Sequence, residues 1–277
     1  VLGVFEFEFM RNALAAGILA SVVCGLIGTF VVVNRIVFIS GGIAHAAYGG
    51  VGLAFFLGIS PLFGILGFSL AVALVMAGVT LRARERADTV IGVLWAVGMA
   101  LGVVLVDLSP GYNVDLMSYL FGSILAVPRS DLVLMVVLTA VIFLAMGWYY
   151  QDFVALSYDE EFARIRGVPV GRLYVLLMVL IALSVVLIIR VVGLILVIAL
   201  LTIAPYVAER FARSLSRMIV FSIALNVLFT LVGLFLAYRF NLTSGAAIIL
   251  AAAVGFFVFL GLERLGVRSI RLKRAEA

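Results

Sequence analysis

Residues 173–205 read LYVLLMVLIALSVVLIIRVVGLILVIALLTIAP. Leu173–Ile189 carries no charge and approaches the roughly 20 apolar residues that a helix needs to cross about 30 Å of hydrocarbon. Arg190 and Gly193 then interrupt it, and a shorter apolar piece, Val191–Ala204, runs on to Pro205. Taken as a single crossing, or as one crossing followed by a short return, this stretch sets the side on which every earlier loop lies. It decides the fold of the whole chain.

The same texture extends in both directions. The 277 residues are 66% hydrophobic and only 12% charged, with a mean hydropathy of +1.35; a soluble domain is about a quarter charged. Further apolar segments occupy Phe9–Val33, Gly41–Gly58, Pro61–Leu81, Thr89–Val106, Leu132–Tyr150, Met218–Tyr238 and Gly245–Leu262. Pro61, Pro110, Pro128 and Pro169 fall in the breaks, where lipid-spanning helices tolerate them, and Pro205 is read as ending the short segment. The chain is therefore expected to be an all-α polytopic membrane protein of eight to nine transmembrane helices, forming one domain over residues 1–277. The opening residues carry Glu6 and Glu8 and no basic cluster, so they do not read as a cleaved signal peptide.

Charge assigns the sides. With the loops placed alternately, Arg11, Arg129, Arg190 and Arg239 lie on one side and the rest of the 19 Lys and Arg on the other. The positive-inside rule makes the arginine-rich side cytoplasmic. This reading uses the short seventh segment as a crossing and puts the start of the chain outside and its end inside. The +5 net charge is too dispersed to suggest a nucleic-acid partner.

Two loops exceed tight turns. The outer one includes Leu116–Ala126, too short to span and expected to lie as a helix at the interface. The inner one, at about residues 151–171, is the longest polar stretch. In it, Ser157 and Glu160 have capping-box spacing, and a short helix is expected to carry Phe162, Ala163 and Ile165 on one face. Gly167 stops it and Pro169 follows. Phe162, an apolar anchor among charges, suits a pocket on a partner protein.

The chemistry-bearing residues are few. Cys24 is the one cysteine and reads as packing. His45 is the one histidine, set among Gly41, Gly42, Gly49, Gly50 and Gly52. An intramembrane ionisable group is a candidate functional residue, although a lone histidine can equally bond a neighbouring helix. Gly49 and Gly52 follow His45 at helical spacing and would allow close helix approach. Asn226 is either interhelical glue or a path ligand, and Asp107 and Asp115 read as solvated carboxylates at the outer end. No GxxxxGK[ST] phosphate loop occurs, so the chain hydrolyses no ATP by that motif. HExxH and Gly-x-Ser-x-Gly are also missing, which argues against an intramembrane hydrolase. The scarcity of carboxylates inside the apolar segments argues against a proton-coupled secondary transporter.

In order along the chain, "FISGGIAH" (38–45), "LFGSIL" (120–125), "YDEEFARIRGVPV" (158–170), "VVGLILVIALLTIAPYVAERF" (191–211) and "NLTSGAAIIL" (241–250) resemble the zinc/manganese/iron permeases of bacterial ABC importers. The resemblance implies the architecture of a type II, vitamin B12-permease-like importer in a prokaryotic plasma membrane. It implies a homodimer served by a separate ATPase and an extracytoplasmic metal-binding protein. It makes Asp159, Glu160, Glu161, Phe162, Ala163 and Gly167 the ATPase-coupling residues and His45 a metal-contacting group. Gly41, Gly49, Gly52 and Asn226 become translocation-path candidates. The family pattern has an aspartate where this chain has Gly41, which weakens a simple assignment to Mn²⁺. No stably bound cofactor is expected, only a transported zinc, manganese or iron ion. A permease for cobalamin or a ferric siderophore is the alternative cargo reading.

Overall fold

A chain inside hydrocarbon cannot leave backbone N–H and C=O groups to water, so each apolar segment closes its own hydrogen bonds as a helix. The structure, a computed structural model, describes residues 7–82, 87–109, 120–122, 124–194 and 197–264. Its elements are α1 (Glu8–Val33), α2 (Val37–Leu57), α3 (Pro61–Arg82), α4 (Ala87–Asp107), a 3₁₀ turn (Ile124–Ala126), α5 (Arg129–Trp148), α6 (Tyr150–Tyr158), α7 (Glu160–Ile165), α8 (Val170–Val192), α9 (Val197–Phe211), α10 (Leu215–Phe240) and α11 (Ser244–Arg264). Among the described residues, eight of these helices are long and apolar enough to cross a membrane: α1–α5, α8, α10 and α11.

The remaining pass belongs to α9. Contacts identify two rims. At the first, Glu8 pairs with Arg129 at 2.6 Å, Asn12 Nδ2 donates to the Val127 carbonyl, and the backbones of Gly122, Gly193 and Gly245 crowd together. At the second, Tyr150 and Ser216 bond at 2.6 Å and Arg210 meets Glu263. The segment from Gly193 to Arg210 therefore runs from rim to rim. Its 15-residue helix rises only about 22 Å, so it starts within the membrane thickness. Leu194, three residues before it, is buried in protein. The two ends of the described chain thus lie at opposite rims, as the arginine distribution requires.

Three expectations need correction. Pro205 does not end the short helix, which continues to Phe211. Proline removes only the hydrogen bond to the Leu201 carbonyl, and that carbonyl lies against Gly28 of α1, where a Cβ would collide with it. The short inner helix is capped by Asp159, whose Oδ1 accepts from the Phe162 N–H at 2.9 Å. Ser157 lies inside the preceding helix α6 instead. The inner loop is thus two helices. Of its expected common face, Ala163 is buried while Phe162 and Ile165 are exposed. The expected outer helix lies mostly beyond the described residues; its end, Ile124–Ala126, is a 3₁₀ turn.

Helices α1, α2 and α8 are the most buried, whereas α4, α5 and α11 turn most of their apolar side chains outward, as lipid-facing helices do. Helix α2, the innermost, has apolar and small residues all round, which fits a fully surrounded helix.

Candidate functional site

His45 lies in the first half of α2 and is only 9% exposed. Its Nδ1 is 2.9 Å from the Gly41 carbonyl oxygen one turn earlier. That oxygen can only accept, so Nδ1 carries the hydrogen, and in the neutral ring Nε2 keeps the lone pair needed by a metal ligand. The ring stacks on Trp95 of α4, with centroids 3.8 Å apart and planes inclined by 23°. The imidazole is thus fixed in both tautomer and plane.

Gly41 has its side-chain direction filled from outside. A Cβ there would run into Ile198 of α9 and come within 4.0 Å of the Trp95 ring. The volume that an aspartate at position 41 would claim is therefore occupied by apolar groups from two other helices.

Gly49 and Gly52 continue the same seam between α2 and α4. A Cβ on Gly49 would lie 3.0 Å from the Gly98 oxygen and 2.7 Å from Phe68, and one on Gly52 would lie 2.7 Å from Gly102 Cα. The structure brings Gly41, His45, Gly49 and Gly52 together on one face of α2. Sequence reasoning misses their partners Trp95, Gly98, Gly102 and Ile198. A signal for two of them exists: "GMALG" (98–102) is a GxxxG pair, the spacing that lets apolar helices approach closely.

Asn226 stands apart from that face. It is 1% exposed on α10, and among the described residues neither of its amide atoms has a hydrogen-bond partner. One turn to either side, Ser222 accepts from Thr29 at 3.2 Å and Thr230 bonds Ser21 at 2.9 Å. Hydroxyls, not the Asn226 amide, supply the polar links between α1 and α10 along this stripe.

The inner segment is built for display. The Asp159 cap starts α7, Glu160 bonds Arg164 at 2.6 Å within it, and Gly167 ends it with φ of +80°. At that φ a side chain would be strained. Phe162 is 50% exposed with the Arg166 guanidinium 5.7 Å from its ring, Ile165 is 84% exposed, and Glu161 is exposed beside them. Buried Ala163 seats the helix on the bundle.

The sequence as a whole matches a known group. The sequence pattern of the ABC 3 transport family fits residues 6–262. The chain belongs to that family. Relatives within it include an uncharacterised membrane protein of Synechocystis, 48% identical over 94% of this chain and 92% of that one. The manganese import system permease protein ScaB of Streptococcus gordonii is 32% identical, with 93% and 92% covered. Among solved structures, PsaBC from Streptococcus pneumoniae in complex with Fab superposes with a TM-score of 0.84 at 32% identity, covering 93% of each chain. This ABC 3 chain is a multi-pass bacterial membrane protein and a permease subunit of an ABC transport system.

Proposed function

We propose that this chain is the permease of an ATP-driven importer for a divalent transition metal ion, with manganese the first cargo to test. It works as two copies, with a separate cytoplasmic ATPase bound at α7 and an extracytoplasmic metal-binding protein delivering the ion. The observation that carries the reading is His45, buried in the membrane with its Nε2 lone pair unclaimed by the Gly41 bond, in a chain similar throughout to manganese import permeases. Among the described residues no three His, Cys, Asp or Glu side chains gather. One protomer therefore offers a transient contact and not a closed four-ligand site. A two-fold axis would bring a second imidazole to the path, and water or backbone carbonyls would complete the coordination. Gly41, Gly49, Gly52 and Asn226 are path candidates in the same proposal.

The test is ATP-driven uptake in proteoliposomes holding the chain, its ATPase and the capture protein, with manganese, zinc, ferrous iron and cobalamin in competition. His45→Ala is expected to lower metal uptake on the order of tenfold or more, the scale on which metal-site changes act. Full metal uptake by the variant would leave His45 a packing residue. Cobalamin uptake without metal uptake would overturn the cargo.

A further inference from the structure

The inner segment is tied to the bundle by a polar contact at the end of α1. Asn34 Nδ2 donates to Ser157 Oγ at 2.9 Å and to the Phe30 carbonyl at 2.8 Å, while Ser157 Oγ donates to the Phe153 carbonyl at 2.7 Å. One turn deeper, the Phe30 and Phe153 rings meet edge to face with centroids 5.7 Å apart, and both are fully buried. These contacts fasten α6 to α1. Beside them opens a cavity of about 200 Å³ lined by Asn34, Arg35 and Ile36 and, from the inner segment, Leu156 and Glu160. The Asn34–Ser157 bond therefore stands at the edge of a gap between the inner segment and the start of α2.

The turn from α1 into α2 is stiff. Arg35 takes the left-handed conformation with φ of 58°, and the Arg35 and Ile36 N–H groups bond back to Val32 and Val31 at 3.0 Å. Helix α2 starts at Val37, and His45 follows about two turns in. Displacement of Asn34 thus has a short, hydrogen-bonded route to the imidazole.

We propose that Asn34 and Ser157 form a strut that carries movement of the ATPase-coupling segment to α2 and His45. This rests on the importer reading. Asn34 is a positioning residue, acting through Ser157 and the turn into α2.

The complex with its ATPase and capture protein would be reconstituted with Asn34→Leu, Ser157→Ala, both together, or Ser157→Thr. Manganese imported per ATP hydrolysed is the measure. Each single change is expected to lower that ratio several-fold with ATP hydrolysis and thermal midpoint near wild type. The double variant should be no lower than either single, because the pair acts as one link, and Ser157→Thr, which keeps the hydroxyl, should recover most of the ratio. Unchanged ratios in the singles, or losses that add in the double, overturn the strut. A second readout needs no cargo. Fluorotryptophan incorporated into this chain alone, with Trp148→Phe, leaves the Trp95 fluorine resonance to report on the ring stacked with His45. A nucleotide-driven shift of that resonance that Asn34→Leu abolishes supports the strut; one that Asn34→Leu leaves intact overturns it. If wild-type complex shifts the resonance on ATP but imports no manganese, and Asn34→Leu abolishes that shift, the cargo reading fails while the strut stands.

Discussion

At position 41 a single hydrogen atom governs what His45 can meet. Its replacement by a carboxylate would push into Ile198, and overpacking of this kind costs about 1–3 kcal/mol. Gly41→Asp is expected to lower the thermal midpoint in detergent, and adding Ile198→Ala should recover most of the loss by vacating the space. In transport assays the double variant should favour manganese over zinc relative to wild type, because a carboxylate is the harder ligand. His45 is legible from sequence because it is the lone histidine in an apolar run. Trp95 and Ile198 are not, since nothing local to either residue announces a contact across to α2. The tautomer of His45 is equally hidden, as it depends on which carbonyl the folded helix offers.

Among the elements, α2 and α4 meet through their glycines. Gly52→Ala would force a Cβ onto Gly102 backbone, which cannot rotate away, so a loss of about 1–3 kcal/mol is expected. At Gly67 of α3 the place a Cβ would take has nothing within 4 Å of it, and Gly67→Ala should be neutral or stabilising by up to ~1 kcal/mol. Thermal unfolding of the two variants in one detergent checks the contrast. For α7, Phe162→Ala is expected to weaken ATPase association by roughly 1–2 kcal/mol, as loss of an exposed anchor does, with the fold of the permease retained. A pull-down titration with the ATPase measures it. Element type is readable from hydropathy for the long apolar helices, but helix ends are not. Helix α5 begins at Arg129, three residues before the apolar segment, because a charged first turn at the rim can pair with Glu8. Capping-box spacing points to Ser157 for α7, yet Asp159, equally suited to capping, sits two residues later and takes the role.

For the whole molecule, the side of each loop follows from α9 making its short pass. In a Cys24→Ser background, cysteines at Ile59 and Leu242 should react with an impermeant thiol reagent from outside intact cells, and one at Ser214 only after permeabilisation. Labelling at position 214 from outside would invert the arrangement. The alternation of charge foretells this topology, because loop charges report sides without reference to packing. What no periodicity can foretell is an Asn226 amide that, between two satisfied hydroxyl pairs, has no hydrogen-bond partner among the described residues. An orphaned buried amide is destabilising by about 1–3 kcal/mol, so Asn226→Leu is expected to raise the thermal midpoint. A raised midpoint would mean that the protein at rest sits below the robustness its own sequence could reach by one substitution. If the sturdier variant also transports more slowly, tolerance of that weakness is a trade of durability for turnover.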